Sequence, residues 1–188
     1  LAALPQPVPF ADGGVVPLRG RDHALRFAPN GRQRGVVRIE NPATEGDRAA
    51  AEQTSLPAII VAGAPEHAPR RLRDWLKRQA REDLVRHCTA HAATLGVKPR
   101  RIAIRDQSSR WGSCSAAGVL SFSWRLILAP SRILDYLAAH EVAHLREMNH
   151  GPRFWALVRE ACAEMDEAKS WLKKNGSGLH RYGAPESS

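Results

Sequence analysis

The chain has 188 residues, of which 43% are hydrophobic and 25% are charged, as is ordinary for a globular protein with a substantial core. No apolar run approaches the roughly 18 residues of a membrane span, and no secretory signal pattern is found, so we expect no contact with a membrane. Twenty-eight lysines and arginines against 19 acidic residues give a net charge of +9, which permits binding of nucleic acid or nucleotides without requiring it.

The amino-terminal residues 1–65 contain short apolar runs separated by glycine, proline and asparagine, which predicts a β-rich region. The candidate strands lie at residues 15–16, 24–27, 36–39 and 58–61. Residues 41–55 are polar and rich in alanine, and we predict a mobile loop there.

Residues 65–95 show the period of one long amphipathic helix that ends at Gly96. Its predicted buried stripe consists of Leu72, Trp75, Leu76, Leu84, Cys88 and Leu95. Basic residues are dense between positions 70 and 86, but acidic partners at helical spacing, Asp74 with Arg78 and Glu82 with Arg86, favour a solvated face over a polyanion site.

His87 and His91 are four residues apart on the same helix. They lack an intervening glutamate and an evident third ligand, so we interpret them as surface histidines. The cysteines Cys88, Cys114 and Cys162 are odd in number and widely spaced, which argues against a disulfide framework and a thiolate zinc site. This usage favours a reducing compartment, most simply the cytoplasm.

The second half of the chain predicts strands over residues 101–105 and 120–128, with residues 109–114 pairing through a turn at 115–118. Two helices then follow over about 131–148 and 152–174, the first capped by Ser131. Residues 175–178 break the second helix, and 181–188 form a loose tail. We expect one compact unit built from regions 1–65, 66–96 and 97–180.

The helix over 131–148 carries His140-Glu141-Val142-Ala143-His144. Two histidines four apart lie one turn apart on nearly the same face, so both imidazoles can reach one zinc ion at about 2.0–2.1 Å. Glu141 is placed to take a proton from a zinc-bound water. Asn149 tolerates a left-handed conformation, which would let His150 return to the same ion. The pattern predicts three protein ligands and an open position, as in catalytic zinc sites.

Other residues offer supporting or competing roles. Glu160 and Glu164 are alternative third ligands that rank behind His150. Tyr136, one turn before His140, is a candidate to stabilise the oxyanion of the transition state, as are Arg110 and His180. Trp111 and Ser113 are candidates to line the cleft, where their strand would offer main-chain groups to an extended peptide. Phe154 and Trp155 would pack the last helices together and hold His150 in place.

Several short motifs follow one another in the second half of the chain: Arg110-Trp111-Gly112-Ser113-Cys114, Trp124-Arg125-Leu126, Asp135-Tyr136, the histidine motif, Asn149-His150 and Phe154-Trp155. In these motifs the chain resembles the YgjP-like zinc metallohydrolases, which are relatives of the SprT and WLM metallopeptidases. The resemblance implies a zincin-like α+β fold with an amino-terminal β-rich region, a long connecting helix, a small β-sheet and a two-helix metal-binding unit. It also implies one zinc ion per chain on His140, His144 and His150, with Glu141 as general base. Metzincins share this ligand spacing but need glycine where Glu147 stands.

These features predict a zinc-dependent hydrolase, most simply an intracellular metallopeptidase that cleaves peptides or proteins with a water activated by Glu141. One alternative is a zinc-dependent nucleotide or phosphoanhydride hydrolase, which many arginines would suit. Another is a basic, nucleic-acid-associated binding protein with structural zinc, against which Glu141 argues because a structural site needs no such carboxylate. The sequence gives no indication of the oligomeric state.

Overall fold

Strands and helices are segregated along the chain in a computed structural model, which describes residues 6–29, 37–42, 56–107 and 109–183. In those residues the strands are β1 (Val15–Leu18), β2 (Arg21–Ala28), β3 (Val37–Glu40), β4 (Ala58–Ala62), β5 (Arg101–Arg105), β6 (Gly112–Cys114) and β7 (Val119–Ser123). The helices are α1 (Ala68–Thr94), α2 (Ser131–Ala143), α3 (Pro152–Ala161) and α4 (Met165–Leu179). The predicted α+β class is confirmed, and none of the described helices is long and apolar enough to cross a membrane.

The first sheet has the strand order β1-β2-β4-β3; in this sheet β2 and β4 are parallel, whereas β1 with β2 and β3 with β4 are antiparallel. All five residues of β4 are buried, as expected for a short, wholly apolar strand in the middle of a sheet. The four strands predicted in this region are confirmed. The predicted mobile loop at 41–55 lies outside the described residues except for its first two positions.

The turn between β1 and β2 docks this sheet onto the segment that leads into α2. Arg19 and Gly20 both have positive φ, and their backbone N–H groups donate to the carbonyl oxygens of Ile127 and Leu128 at 2.7 and 3.2 Å. A Cβ atom on Gly20 would lie 2.8 Å from the ring of Pro130, so the close approach needs glycine. The amino-terminal sheet therefore supports the start of α2 directly.

Arg19 also forms an ion pair with a buried carboxylate of α1. Its Nε donates to Asp83 Oδ2 at 2.7 Å and its Nη2 donates to Oδ1 at 3.1 Å, while the Asp83 side chain is 5% exposed. We expect Arg19→Ala to lower the free energy of unfolding by roughly 1–3 kcal/mol, because the buried carboxylate loses its main partner. Urea unfolding measures this.

The matched control is Arg38→Ala, because the ion pair of Arg38 with Glu40 is 46% exposed on both sides. Its loss should cost less than about 1 kcal/mol. Equal losses in the two variants would contradict a special role for the Arg19 pair.

Helix α1 matches its prediction closely. The residues of the predicted stripe are buried against the rest of the core, and the helix ends before Gly96, whose φ of 62° is left-handed. Arg86 pairs with Asp83 rather than with Glu82, so that predicted partner was wrong. Several arginines of α1 donate to main-chain carbonyls elsewhere in the fold: Arg71 to Ala62 and Ala64, Arg73 to Gly183 and Arg81 to Ile102.

The second sheet has the order β5-β7-β6, with β6 and β7 antiparallel through the predicted turn. The strand predicted over 120–128 ends at Ser123, and Trp124–Leu128 form a 3-10 helix instead. All five of these residues are buried, including Arg125 and Ile127 at the positions that a strand would have turned to solvent. Burial on every side removes the reason for alternation.

The turn after α2 differs from its prediction. Helix α2 ends at Ala143, with Pro130 rather than Ser131 at its amino-terminal cap. Asn149 does not adopt a left-handed conformation; among the described non-glycine residues, positive φ is found at Arg19. The chain reverses through short turns instead, in which the N–H groups of Arg146 and Glu147 donate to the carbonyl of Ala143.

The helix predicted over 152–174 is two helices, α3 and α4, separated by an extended Cys162 with φ −141°. Helix α4 continues through the Asn-Gly-Ser-Gly segment that was expected to break it. A Cβ atom on Gly176 would lie 3.3 Å from Nε1 of Trp111, so packing against the indole uses the missing side chain. The predicted loose tail is wrong for residues up to 183, since Tyr182 forms a β-bridge with Val8, and the rest lies outside the described residues.

Candidate active site

Three imidazoles converge where α2 ends and α3 begins. Nε2 of His150 lies 3.1 Å from Nε2 of His140 and 3.1 Å from Nε2 of His144. Ligands bound to one zinc ion at about 2.0–2.1 Å in tetrahedral geometry lie roughly 3.3 Å apart. The arrangement of these donor atoms therefore fits a single metal ion with a fourth position left for water or substrate.

Each helical histidine is oriented through its other ring nitrogen. Nδ1 of His144 lies 3.0 Å from the carbonyl oxygen of Glu147, which can only accept, so Nδ1–H donates and Nε2 keeps its lone pair. Nδ1 of His140 faces the hydroxyl of Tyr136 at 3.5 Å, the outer limit of a hydrogen bond. Burial and the neighbouring imidazoles lower the pKa of His140 to about 3, which keeps the ring neutral as a metal ligand must be.

Phe154 lies beneath all three rings. It is fully buried, stacks on His144 with centroids 4.4 Å apart, and meets His140 and His150 at 4.9 and 4.7 Å. Trp155 stacks on His150 at 5.7 Å. The prediction that these two aromatic residues hold His150 in place is in accord with this packing.

Glu141 faces the second sheet from the buried side of α2. Its side chain is 4% exposed, and its Oε2 atom has no hydrogen-bond partner among the described residues. Burial raises the pKa of Glu141 to about 7, although Arg110 acts in the opposite direction. Burying a carboxylate oxygen without a hydrogen-bond donor costs free energy. Such an oxygen in a native fold indicates that water or a ligand, and not another protein group, is its hydrogen-bond partner.

Gly112 of β6 makes room for this carboxylate. A Cβ atom at Gly112 would lie 2.5 Å from Oε1 of Glu141 and 2.9 Å from its Cγ and Cδ. Only glycine lets the strand and the carboxylate come this close. The sequence motif contains Gly112 but does not reveal its partner Glu141, which lies on another element of the fold.

The remaining candidates occupy different positions around this carboxylate. Arg110 is exposed beside β6, and its positive charge lowers the pKa of Glu141. Trp111 stacks on His180 with centroids 4.5 Å apart and packs against α4. Ser113 projects to the opposite face of β6 from Gly112, since successive residues of a strand alternate. Tyr136 is only 5% exposed and faces His140, so the structure brings it to a candidate ligand instead of to the cleft.

The alternative third ligands lie elsewhere. Glu160 and Glu164 are exposed on or near the ends of α3 and α4, and neither belongs to the histidine cluster. Beside His144 a cavity of about 490 Å³ opens, lined by Val97, Lys98, residues 115–118 and Leu145, Arg146 and Met148. Of the three clustered histidines, His144 is the one that lines this cavity.

The prediction that His87 and His91 are surface histidines is wrong for His91, whereas the side chain of His87 is partly exposed, at 20%. His91 is 7% exposed, and both rings contact the carboxylate of Asp135. The partner comes from a residue more than forty positions away, as the separations of 44 and 48 show. Local spacing could not reveal it.

Comparison with known proteins agrees with the motifs. The sequence model of a family described as "YgjP-like, metallopeptidase domain" matches residues 2–175. No curated protein matches the chain. A solved structure of the metallopeptidase zymogen abylysin from Pyrococcus abyssi is 18% identical, with a TM-score of 0.44 over 48% of this chain and 93% of abylysin.

Proposed function

Because the chain belongs to the YgjP-like metallopeptidase family, we propose that it hydrolyses peptide bonds with zinc held by His140, His144 and His150 and with Glu141 as general base. The family implies a divalent metal ion, and zinc is the ion that three imidazoles with an open position suit best. The observation that carries the proposal is the convergence of three Nε2 atoms, two of them from the helix that also carries Glu141. The Oε2 atom of this buried carboxylate has no hydrogen-bond partner among the residues that the structure describes.

Each residue has a defined task in the reaction. His140, His144 and His150 would hold the zinc ion, which would supply Lewis-acid chemistry toward the scissile carbonyl and water. Glu141 accepts the proton of the attacking water at Oε2 and returns it to the leaving nitrogen. Tyr136 and the Glu147 carbonyl hold His140 and His144 in orientation.

The edge of the second sheet offers a surface for the substrate. Strand β6 pairs with β7 on one side only among the described strands, and it runs past Glu141. An extended peptide can add to such an edge through main-chain hydrogen bonds. The carbonyl of Trp111 accepts the N–H of Ser123 within the sheet, so we propose that the main chain of Gly112 positions the peptide and that Arg110 stabilises the developing oxyanion.

The bond class is tested directly by substrate comparison. We expect the zinc-loaded protein to cleave casein-derived peptides and to leave nucleoside triphosphates intact. Hydrolysis of the triphosphates alone would support the nucleotide hydrolase instead.

The tertiary contacts of Arg71, Arg73 and Arg81 give these side chains a structural role. Binding of nucleic acid and the cytoplasmic location stay predictions.

Removal of His150 tests the ligand set. We expect His150→Ala to lower zinc affinity at the catalytic site by at least about 10-fold, since even supporting residues of a metal site cost 10–100-fold when lost. Competition against a zinc chelator measures the affinity. His67→Ala is the control, because His67 is exposed and precedes α1. Unchanged affinity in His150→Ala would exclude His150 as a ligand.

A further inference from the structure

Asp135 lies on α2 five residues before His140, and therefore on a different side of the helix from the catalytic histidines. Its Oδ1 atom lies 2.8 Å from Nδ1 of His87 and 2.7 Å from Nε2 of His91, both on α1. The three donor atoms lie within 4.8 Å of one another. Two helices thus bring two imidazoles and a carboxylate together outside the proposed active site.

The chemistry of this cluster is that of a metal site. His87 and His91 are four residues apart, as His140 and His144 are, so their rings meet from successive turns. Two imidazoles and one carboxylate form the ligand set of many zinc and non-haem iron sites. At metal–ligand distances of about 2.0–2.2 Å, donors this close subtend roughly a right angle at an ion. That is the angle between neighbouring ligands in octahedral coordination.

The surroundings leave the carboxylate charged and one side of the cluster accessible. The side chain of His91 is 9% exposed, whereas those of His87 and Asp135 are 20% and 32% exposed. Burial opposes ionisation of Asp135, but hydrogen bonds from the two histidines hold its pKa well below the usual range. Burial and this carboxylate raise the pKa of the neighbouring Cys162 thiol to about 11. Because the side chains of His87 and Asp135 are partly exposed, water can reach that side of the cluster, where it would complete a coordination shell.

We propose that His87, His91 and Asp135 bind a second divalent transition-metal ion, which ties α1 to α2. Coordination would replace the two hydrogen bonds to Asp135 with bonds to one ion. Because α2 also carries His140 and Glu141, the second ion would fix the helix that presents the catalytic residues. A hydrogen-bonded network without an ion would account for the same contacts, and it predicts no metal binding here.

Zinc stoichiometry distinguishes the two cases. Equilibrium dialysis of the full chain against zinc, followed by metal analysis, should give two ions per chain for the wild type and one for His87→Gln. This variant keeps the hydrogen bond between His91 and Asp135, which preserves the link between the helices. Asp135→Asn should also bind one ion. His67→Gln, at an exposed position before α1, should keep two.

The variant His150→Ala separates the two sites, because it should lose the catalytic ion and keep the second. Adding zinc should then raise the Tm of His150→Ala but not that of the double variant His87→Gln/His150→Ala. Equal stoichiometry in wild type and His87→Gln, whether one ion or two, would overturn the proposal. If only the catalytic site fails to bind, the wild type binds one ion, which His87→Gln loses and His150→Ala keeps.

Discussion

Glu141→Gln should lower kcat by about 10²–10⁴-fold while zinc remains bound. Glutamine has nearly the shape of glutamate but cannot accept a proton from water, so the variant removes the proposed base and leaves the packing around it intact. The side chain is buried and its Oε2 has no partner within the described residues, so a neutral amide breaks no ion pair. Steady-state cleavage of a fluorogenic peptide and metal analysis of the same samples measure both quantities.

The control for this experiment is Glu160→Gln. Glu160 is exposed near the end of α3 and lies outside the histidine cluster, so its loss should change neither cleavage nor zinc content. Wild-type turnover in Glu141→Gln would exclude the proposed mechanism. Loss of both zinc and turnover would instead assign Glu141 a role in holding the metal.

Gly112→Ala should be the most damaging substitution of a residue that carries no functional group. The added methyl would lie 2.5 Å from Oε1 of Glu141, so either the carboxylate or strand β6 must move. A displacement of about 1 Å in a catalytic group can cost roughly 100-fold in rate, and overpacking costs about 1–3 kcal/mol of stability. Peptide cleavage and thermal unfolding report the two effects.

Gly178→Ala serves as its control. Gly178 is inside α4, and among the described residues no atom beyond the neighbouring backbone of this helix lies within 4 Å of a Cβ built there. Alanine should therefore leave the rate unchanged and raise stability by about 0.5–1 kcal/mol. If Gly112→Ala were as active as the control, the contact between β6 and the carboxylate would have no importance for catalysis.

The sequence predicts those parts of the fold whose signal is local. Helix α1 and the strands follow from periodicity, and the histidine motif from a spacing within one helix. The 3-10 helix Trp124–Leu128 was not predictable, because an alternating pattern does not reveal burial on both sides. Helix α4 runs through Gly176 and Gly178 despite the low helix propensity of glycine, and the packing of Gly176 on Trp111 is a tertiary contact that propensity does not reveal.

The same distinction applies to the site. The histidines and Glu141 stand in one short segment, whereas Gly112, which approaches Glu141, comes from β6. The contact of Asp135 on α2 with His87 and His91 on α1, outside the proposed active site, likewise joins residues that are far apart in the sequence. Nothing in local spacing encodes these distances.

The docking of Arg19 and Gly20 onto residues 127–130 limits how the protein can be shortened. The N–H groups of this turn donate hydrogen bonds to carbonyl oxygens just before the start of α2, the helix that carries His140 and Glu141. A fragment beginning at α1 would retain every residue of the histidine motif and yet expose those carbonyls, together with the apolar surface that β1 covers. The smallest active fragment should therefore include the first sheet, even though the proposed mechanism uses no residue of β1, β2, β3 or β4.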